Sequence, residues 1–107
     1  MSFWSENRFM VTGGSGFLGK HVVQALKNRG AQDVFVPRSK DYDLREHEAV
    51  IRLLEDVKPD VIIHLAAIVG GIGANSARPG ELFYANLMMG TQLLHESYLR
   101  KIKKFVS

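Results

Sequence analysis

Thr12-Gly13-Gly14-Ser15-Gly16-Phe17-Leu18-Gly19 joins the apolar run Phe9-Met10-Val11 to a segment, Phe17 to Arg29, in which Leu18, Val22, Ala25 and Leu26 recur at helical spacing. The run reads as a short buried strand from Arg8 to Thr12, and the segment as a helix closed by Gly30. Glycines placed between a strand and a helix let the chain turn sharply and let its backbone approach a ligand. The exposed N–H groups and positive end of the helix then favour a negatively charged group such as a pyrophosphate. Gly13 and Gly16 are expected to supply the turn and the approach, and Gly19 the room for packing helix on sheet.

Downstream, the same alternation repeats. Val34, Phe35 and Val36 form a second short strand, ended by Pro37, which cannot donate to a ladder. Asp43 with Glu46 has the form of a capping box, and Val50, Ile51, Leu54 and Val57 share one face of a second helix that stops before Pro59. Asp60 to Leu65 carries the uninterrupted run Val61-Ile62-Ile63, the pattern of a strand covered on both faces. After a glycine-rich loop, Leu82 to Arg100 reads as helix and Lys104 to Ser107 as the start of another strand. The order β-α-β-α-β-α-β predicts an α/β fold with a Rossmann-type, doubly wound parallel sheet, with strands in the order 3-2-1-4. That order puts the last strand beside the first, in the interior of a sheet whose further strands are missing, so a fragment of a larger protein is expected.

The loop sits in the context that a dinucleotide fingerprint needs, and its spacing satisfies both Gly-x-Gly-x-x-Gly from Gly14 and Gly-x-x-Gly-x-x-Gly from Gly13. A triphosphate-binding P-loop also fits from Gly14 to Lys20. Its eighth position is His21, however, whose imidazole cannot replace the hydroxyl that ligates Mg²⁺, and Phe17 and Leu18 look like the buried start of a helix. About twenty residues past the glycines, an acid takes the ribose hydroxyls of NAD and a base the 2′-phosphate of NADP. The second strand here ends in Pro37-Arg38-Ser39-Lys40, and the planar fork of Arg38 favours NADP. Asp41 and Asp43 keep NAD open.

Composition bounds the rest. The 107 residues suffice for one domain and one core; 46% apolar and 23% charged residues are those of a globular chain. The longest apolar stretch, Val61 to Gly73, is too short and too interrupted for a membrane span. Absence of cysteine removes disulfides and thiolate metal sites and agrees with a cytoplasmic location; no secretory leader is read at Met1 to Asn7. Much of the net charge of +3 lies in Arg100, Lys101, Lys103 and Lys104, which suit a helix C-terminus better than nucleic acid, for want of interleaved aromatics. His64 is a lone histidine at a strand end and reads as structural, with no metal site. His21, His47 and His95 read as packing on helices, and Met88 and Met89 as core or contact residues.

Thr12-Gly13-x-x-Gly16-x-x-Gly19, Asp43-Leu44 and Ile63-His64-Leu65-Ala66-Ala67 together resemble the extended short-chain dehydrogenases that process nucleotide sugars. Ala66-Ala67-Ile68-Val69-Gly70-Gly71-Ile72-Gly73-Ala74-Asn75, with Pro79, Phe83 and Asn86, resembles their GDP-L-fucose synthase branch, which acts on GDP-4-keto-6-deoxymannose. Ala66 and Ala67 are small where the fold leaves room for ribose and phosphate. The resemblance implies cofactor contacts at Gly13, Ser15, Gly16, Phe17, Leu18, Gly19, Arg38, Asp43, Leu44, Leu65, Ala66 and Ala67, with Asp43 and Leu44 flanking the adenine. It implies contacts to a nucleotide-sugar substrate at Val69, Gly70, Gly71, Asn75 and Asn86. Asp43 is equally explained as a helix cap, Asn75 as a turn residue and Asn86 as a satisfied helix amide.

One departure is the absence of a basic residue at Gly14-Ser15, where NADP-using members of that branch often carry one. Another is that no Tyr-x-x-x-Lys occurs, so the catalytic residues are expected beyond Ser107 and the chain alone is expected to be inactive. The resemblance further implies a homodimer of the intact parent, formed through the helix from Leu82 to Arg100. Two alternatives stay open, another NAD(P)-dependent nucleotide-sugar epimerase or dehydratase, and a non-catalytic NAD(P)-binding module.

Overall fold

The structure, a computed structural model, describes residues 2–67 and 79–107. Its elements in chain order are α1 (Phe3–Glu6), β1 (Arg8–Thr12), α2 (Phe17–Asn28), β2 (Asp33–Phe35), α3 (His47–Val57), β3 (Val61–His64), α4 (Pro79–Leu99) and β4 (Lys104–Val106). The strands form one parallel sheet in the order β2-β1-β3-β4.

β1 is the hub. Phe9, Met10, Val11 and Thr12 are at most 1% exposed, because strands pair on both edges and helices cover both faces. Side chains alternate across a strand, so β1 feeds two cores. Phe9 and Val11 join Val61, Leu26 and Ala31 on the face covered by α2. Met10 and Ile62 join Val50, Leu53, Leu54 and Val57 of α3, and Met89 and Leu93 of α4, on the other. The pairs Phe9↔Val61 and Met10↔Ile62 keep the register consistent with both cores.

The expected order 3-2-1-4 is corrected. β3 crosses to the far side of β1 from β2, and β4 pairs with β3 rather than with β1. Alternation along the chain specifies parallel strands but not which edge of β1 each one takes. The physical reason is visible in α3, whose buried face Ala49, Val50, Leu53, Leu54 and Val57 packs on the Met10–Ile62 side and returns the chain to that edge.

Three local expectations also change. The capping box at Asp43 and Glu46 does not form: Glu46 is the N-cap of α3 and makes no side-chain cap bond, while the Asp43 carboxylate accepts from Arg45 N–H at 3.1 Å, an Asx-type turn. Phe17 and Leu18 do not start α2 as buried residues; they are 85% and 60% exposed, because the sheet-facing stripe of that helix is Val22, Val23 and Leu26. The terminal cations do more than face the helix end: Arg100 donates to Glu96 O in the last turn of α4, as expected of a C-terminal cation, and also pairs with the Glu96 and Glu55 carboxylates, while Lys103 donates to Asn7. α1 was not expected; its Trp4 stacks on Phe9 and lies under Arg29.

Candidate functional site

α2, the helix after β1, covers one face of the sheet, and α4, the helix after β3, packs on the other, so these adjacent strands serve helices on opposite faces. Open α/β sheets bind ligands at such a switch point. A cleft of about 970 Å³ lies there, with three walls.

The first wall is the glycine loop. Gly13 has φ +73°, and a Cβ on it would stand 2.8 Å from Ala66 N and 2.9 Å from Leu65 C, both backbone atoms that cannot swing aside. Only glycine satisfies both conditions. Gly16 donates its N–H to Gly13 O at 3.1 Å and then N-caps α2 without a side-chain bond, leaving first-turn N–H groups directed outward. A Cβ on Gly19 would collide with the Gly13 carbonyl oxygen, so this glycine is a packing requirement behind the loop.

The second wall is Leu65-Ala66-Ala67, latched to β1 by Thr12. The buried Thr12 Oγ1 accepts from Leu65 N at 3.0 Å and Ala66 N at 3.1 Å, and lies 2.7 Å from His64 Nδ1. With both lone pairs of the hydroxyl taken, its proton goes to Nδ1, which places the neutral ring's own proton on Nε2. Burial lowers the His64 pKa, which agrees with a neutral, structural histidine.

The third wall runs from Val36 to Lys40 and from Tyr42 to Arg45. Asp41 N and Tyr42 N both donate to Arg38 O, at 2.9 and 3.0 Å, and this turn leaves Arg38, Ser39 and Lys40 exposed at the mouth. Tyr42 OH donates to Asp56 at 2.8 Å, which raises the phenol pKa. Arg45 grips Asp43 through Nε at 3.0 Å and NH2 at 2.8 Å, and these bonds lower the Asp43 pKa. From α4, Gln92 donates to Leu44 O and Arg45 O, and Met89 reaches the cleft itself.

Of the expected cofactor residues, Gly13, Ser15, Gly16, Arg38, Asp43, Leu44, Leu65, Ala66 and Ala67 line this one cleft. Phe17 and Leu18 stand outside its lining, and Gly19 lies behind the loop. Val69, Gly70, Gly71 and Asn75 fall outside the described residues; Asn86 is half-buried on α4 and does not line the cleft. Thr12, Val36, Lys40, Tyr42, Arg45 and Met89 were not singled out as cofactor contacts. Thr12, adjoining the first glycine, and Lys40, in the basic stretch with Arg38, carried a signal in their positions.

Among the described residues no three His, Asp or Glu side chains gather as metal ligands would, and no helix is long and apolar enough to cross a membrane. Residues 9–107 match the NAD dependent epimerase/dehydratase family. A GDP-L-fucose synthase from Azorhizobium caulinodans is 32% identical over 100 residues, which cover 94% of this chain and 32% of that protein. A GDP-L-fucose synthetase from Naegleria fowleri bound to NADP superposes with a TM-score of 0.83 at 31% identity, covering 98% of this chain and 32% of that one. The GDP-mannoheptose C4 reductase MlghC from Campylobacter jejuni, with NADP bound, gives a TM-score of 0.87 at 26% identity, covering 97% and 33%. The chain thus spans about a third of the length of the relatives it matches.

Proposed function

Because the chain belongs to the NAD dependent epimerase/dehydratase family, we propose that residues 1–107 are the NADP-binding Rossmann half-domain of a larger enzyme that converts GDP-4-keto-6-deoxymannose to GDP-L-fucose. The observation that carries this reading is the convergence of a glycine-rich loop, the small residues Ala66 and Ala67, and the exposed cations Arg38 and Lys40 on one cleft. These features fit a dinucleotide in detail. The Gly13–Gly16 turn admits a pyrophosphate to the N-terminus of α2, and Ala66 and Ala67 leave space for ribose. No described side chain pairs with Arg38, whose fork is therefore available to a 2′-phosphate.

When bound, the nicotinamide would supply hydride to a sugar ketone. The described residues bind and orient; they hold no acid–base set for that transfer. Tyr42 has its phenol committed to Asp56 and its pKa raised, opposite to what a proton donor of this chemistry needs, and His64 is locked to Thr12. Proton transfer and epimerisation are assigned to parts of the enzyme outside this chain. Val69, Gly70, Gly71, Asn75 and Asn86 are proposed to meet the nucleotide sugar.

A second reading, a C4 reductase for another GDP-sugar, is favoured by the likeness to MlghC. Both readings need the same cofactor half and differ in the sugar. The parent is further proposed to be a homodimer. Tyr84, Leu87, Thr91, Leu94 and Tyr98 recur along α4 at alternating three- and four-residue spacing, and the four large ones are 52–76% exposed, the pattern of a helix-packing seam.

The test is a fluorescence titration of the chain with NADPH and NADH beside Arg38→Ala. Saturable binding that favours NADPH, with the preference lost in the variant, is expected. A folded chain that binds neither cofactor would remove the reading.

A further inference from the structure

The turn that presents Arg38 lies beyond the sheet ladder: β2 ends at Phe35, and α3 begins at His47. Arg38 O closes the turn by accepting from Asp41 N and Tyr42 N, at 2.9 and 3.0 Å. α3 holds it from outside. Arg52 donates through NH2 to Asp41 O, and its guanidinium lies 5.0 Å from the centre of the Tyr42 ring. Tyr42 OH donates to Asp56, one helical turn on from Arg52. Asp41 O and Tyr42 N–H belong to one trans peptide and point in opposite directions. That peptide is therefore gripped at its oxygen by Arg52 and at its hydrogen by Arg38 O. A cation on the oxygen polarises the peptide and strengthens the bond at its other end.

We infer that Arg52 is a positioning residue for cofactor selection: from α3 it fixes the turn in which Arg38 stands, and so sets the Arg38 fork for a 2′-phosphate without touching the ligand. The inference rests on the reading of the cleft as an NADP site. Arg52 is exposed and does not line the cleft. Its helix is a firm platform, because Ala49, Val50, Leu53, Leu54 and Val57 on the other side are buried. The guanidinium charge is offset locally by Asp41 and Asp56, all three acting on the Tyr42 phenol. Arg52 therefore reaches the cleft through the shape of the turn rather than as a field.

An exposed cation–aromatic stack and one charge-assisted bond to a carbonyl hold the turn modestly, so losing them lowers the population of the competent turn about fivefold. The apparent affinity falls by the same factor, but only for a ligand that Arg38 recognises. NADH carries a free 2′-hydroxyl and has no phosphate for the fork.

The experiment titrates NADPH and NADH into the 107-residue chain and into Arg52→Ala, Arg52→Met, Arg38→Ala and Arg38→Ala/Arg52→Ala, with Trp4 emission reporting that each is folded. Both single Arg52 variants are expected to lower the NADPH-to-NADH affinity ratio about fivefold, with the NADH affinity unchanged. In the Arg38→Ala background, removing Arg52 is expected to leave the ratio where it stands, since the two act through one contact. Equal weakening of both cofactors would reveal a structural prop, and an unchanged ratio no role. A loss of the same size that persists without Arg38 would reveal Arg52 acting by its charge alone. Each of these three results overturns the inference and leaves the cofactor site intact. Wild-type chain that binds neither cofactor, or a preference for NADPH that survives Arg38→Ala, would overturn the reading of the site and the inference together.

Discussion

Gly13→Ala is the substitution for which the structure sets the sharpest expectation. Two penalties act at one atom. The backbone at φ +73° is left-handed, where an alanine costs about 1–2 kcal/mol. The added Cβ also lands 2.8–2.9 Å from three backbone atoms of Leu65 and Ala66, and relieving that overlap by shifting the ends of β1 and β3 apart costs about 1–3 kcal/mol more. The sum, about 2–5 kcal/mol, is a large share of the roughly 5–15 kcal/mol that stabilises a domain of this kind. At about 4–8 °C for each kcal/mol, the thermal midpoint should fall by at least about 10 °C, and the chain should unfold at the upper end of the range. Gly80→Ala is the matched control. Gly80 lies in the first turn of α4, where a methyl would meet nothing within 4 Å, so alanine there should be neutral or add up to about 1 kcal/mol. Circular dichroism melts of the two variants beside wild type measure both effects. A Gly13→Ala chain melting within about 2 °C of wild type would refute the argument that this loop is held against β3 by backbone contact.

Thr12→Val keeps the shape of the side chain but orphans the Ala66 N–H and the acceptor side of His64 Nδ1. With one buried and one partly buried polar group each costing about 1–3 kcal/mol, urea denaturation should show a loss of about 2–6 kcal/mol, and NMR should show His64 freed from its tautomer. Glu96, buried between His47 and Arg100, has its pKa lowered, by the His47 bond first. Its contribution is therefore present above the unfolded carboxylate pKa and is lost as pH falls through the lower folded value. Melting temperatures between about pH 6 and 3 should fall less steeply for Glu96→Gln than for wild type, and parallel curves would remove this ion cluster as a cause of acid sensitivity. Incubating the pure chain with NADPH and GDP-4-keto-6-deoxymannose should give no product by chromatography, since no described residue provides the acid–base pair; measurable conversion would contradict the assignment of chemistry to other parts of the enzyme.

Much of the fold was legible because hydrophobic period and glycine placement are local signals. The strand at Val61-Ile62-Ile63 and the turn at Gly13 both stand where their residues required. Sheet order was not, since it depends on which edge of β1 the buried face of α3 returns the chain to, and an amphipathic helix does not encode that edge by itself. The walls of the cleft divided the same way. Gly13, Ala66 and Arg38 announce themselves by residue type at a strand end. Arg45 and Tyr42 do not, because their significance lies in partners, Asp43 and Asp56, that only the folded turn fixes. Asp43-x-x-Glu46 looked like a helix cap because the spacing is right, yet α3 starts at His47, three residues later than that cap requires, and the carboxylate is taken by Arg45 instead. Phe17 and Leu18 misled for a related reason: apolar residues at a helix start need not lie on the stripe that faces the sheet.

The Thr12 latch has a consequence for hydrogen exchange. Ala66 lies past the end of β3, where a loop amide would ordinarily trade its proton with water quickly, yet its N–H is held by a hydroxyl rooted in the most buried strand of the molecule. That amide exchanges only when the ends of β1 and β3 part. Its protection factor is thus a local gauge of how often the floor of the cleft opens, readable without any ligand and separable from the slower exchange of the Ile62 amide at the centre of the sheet.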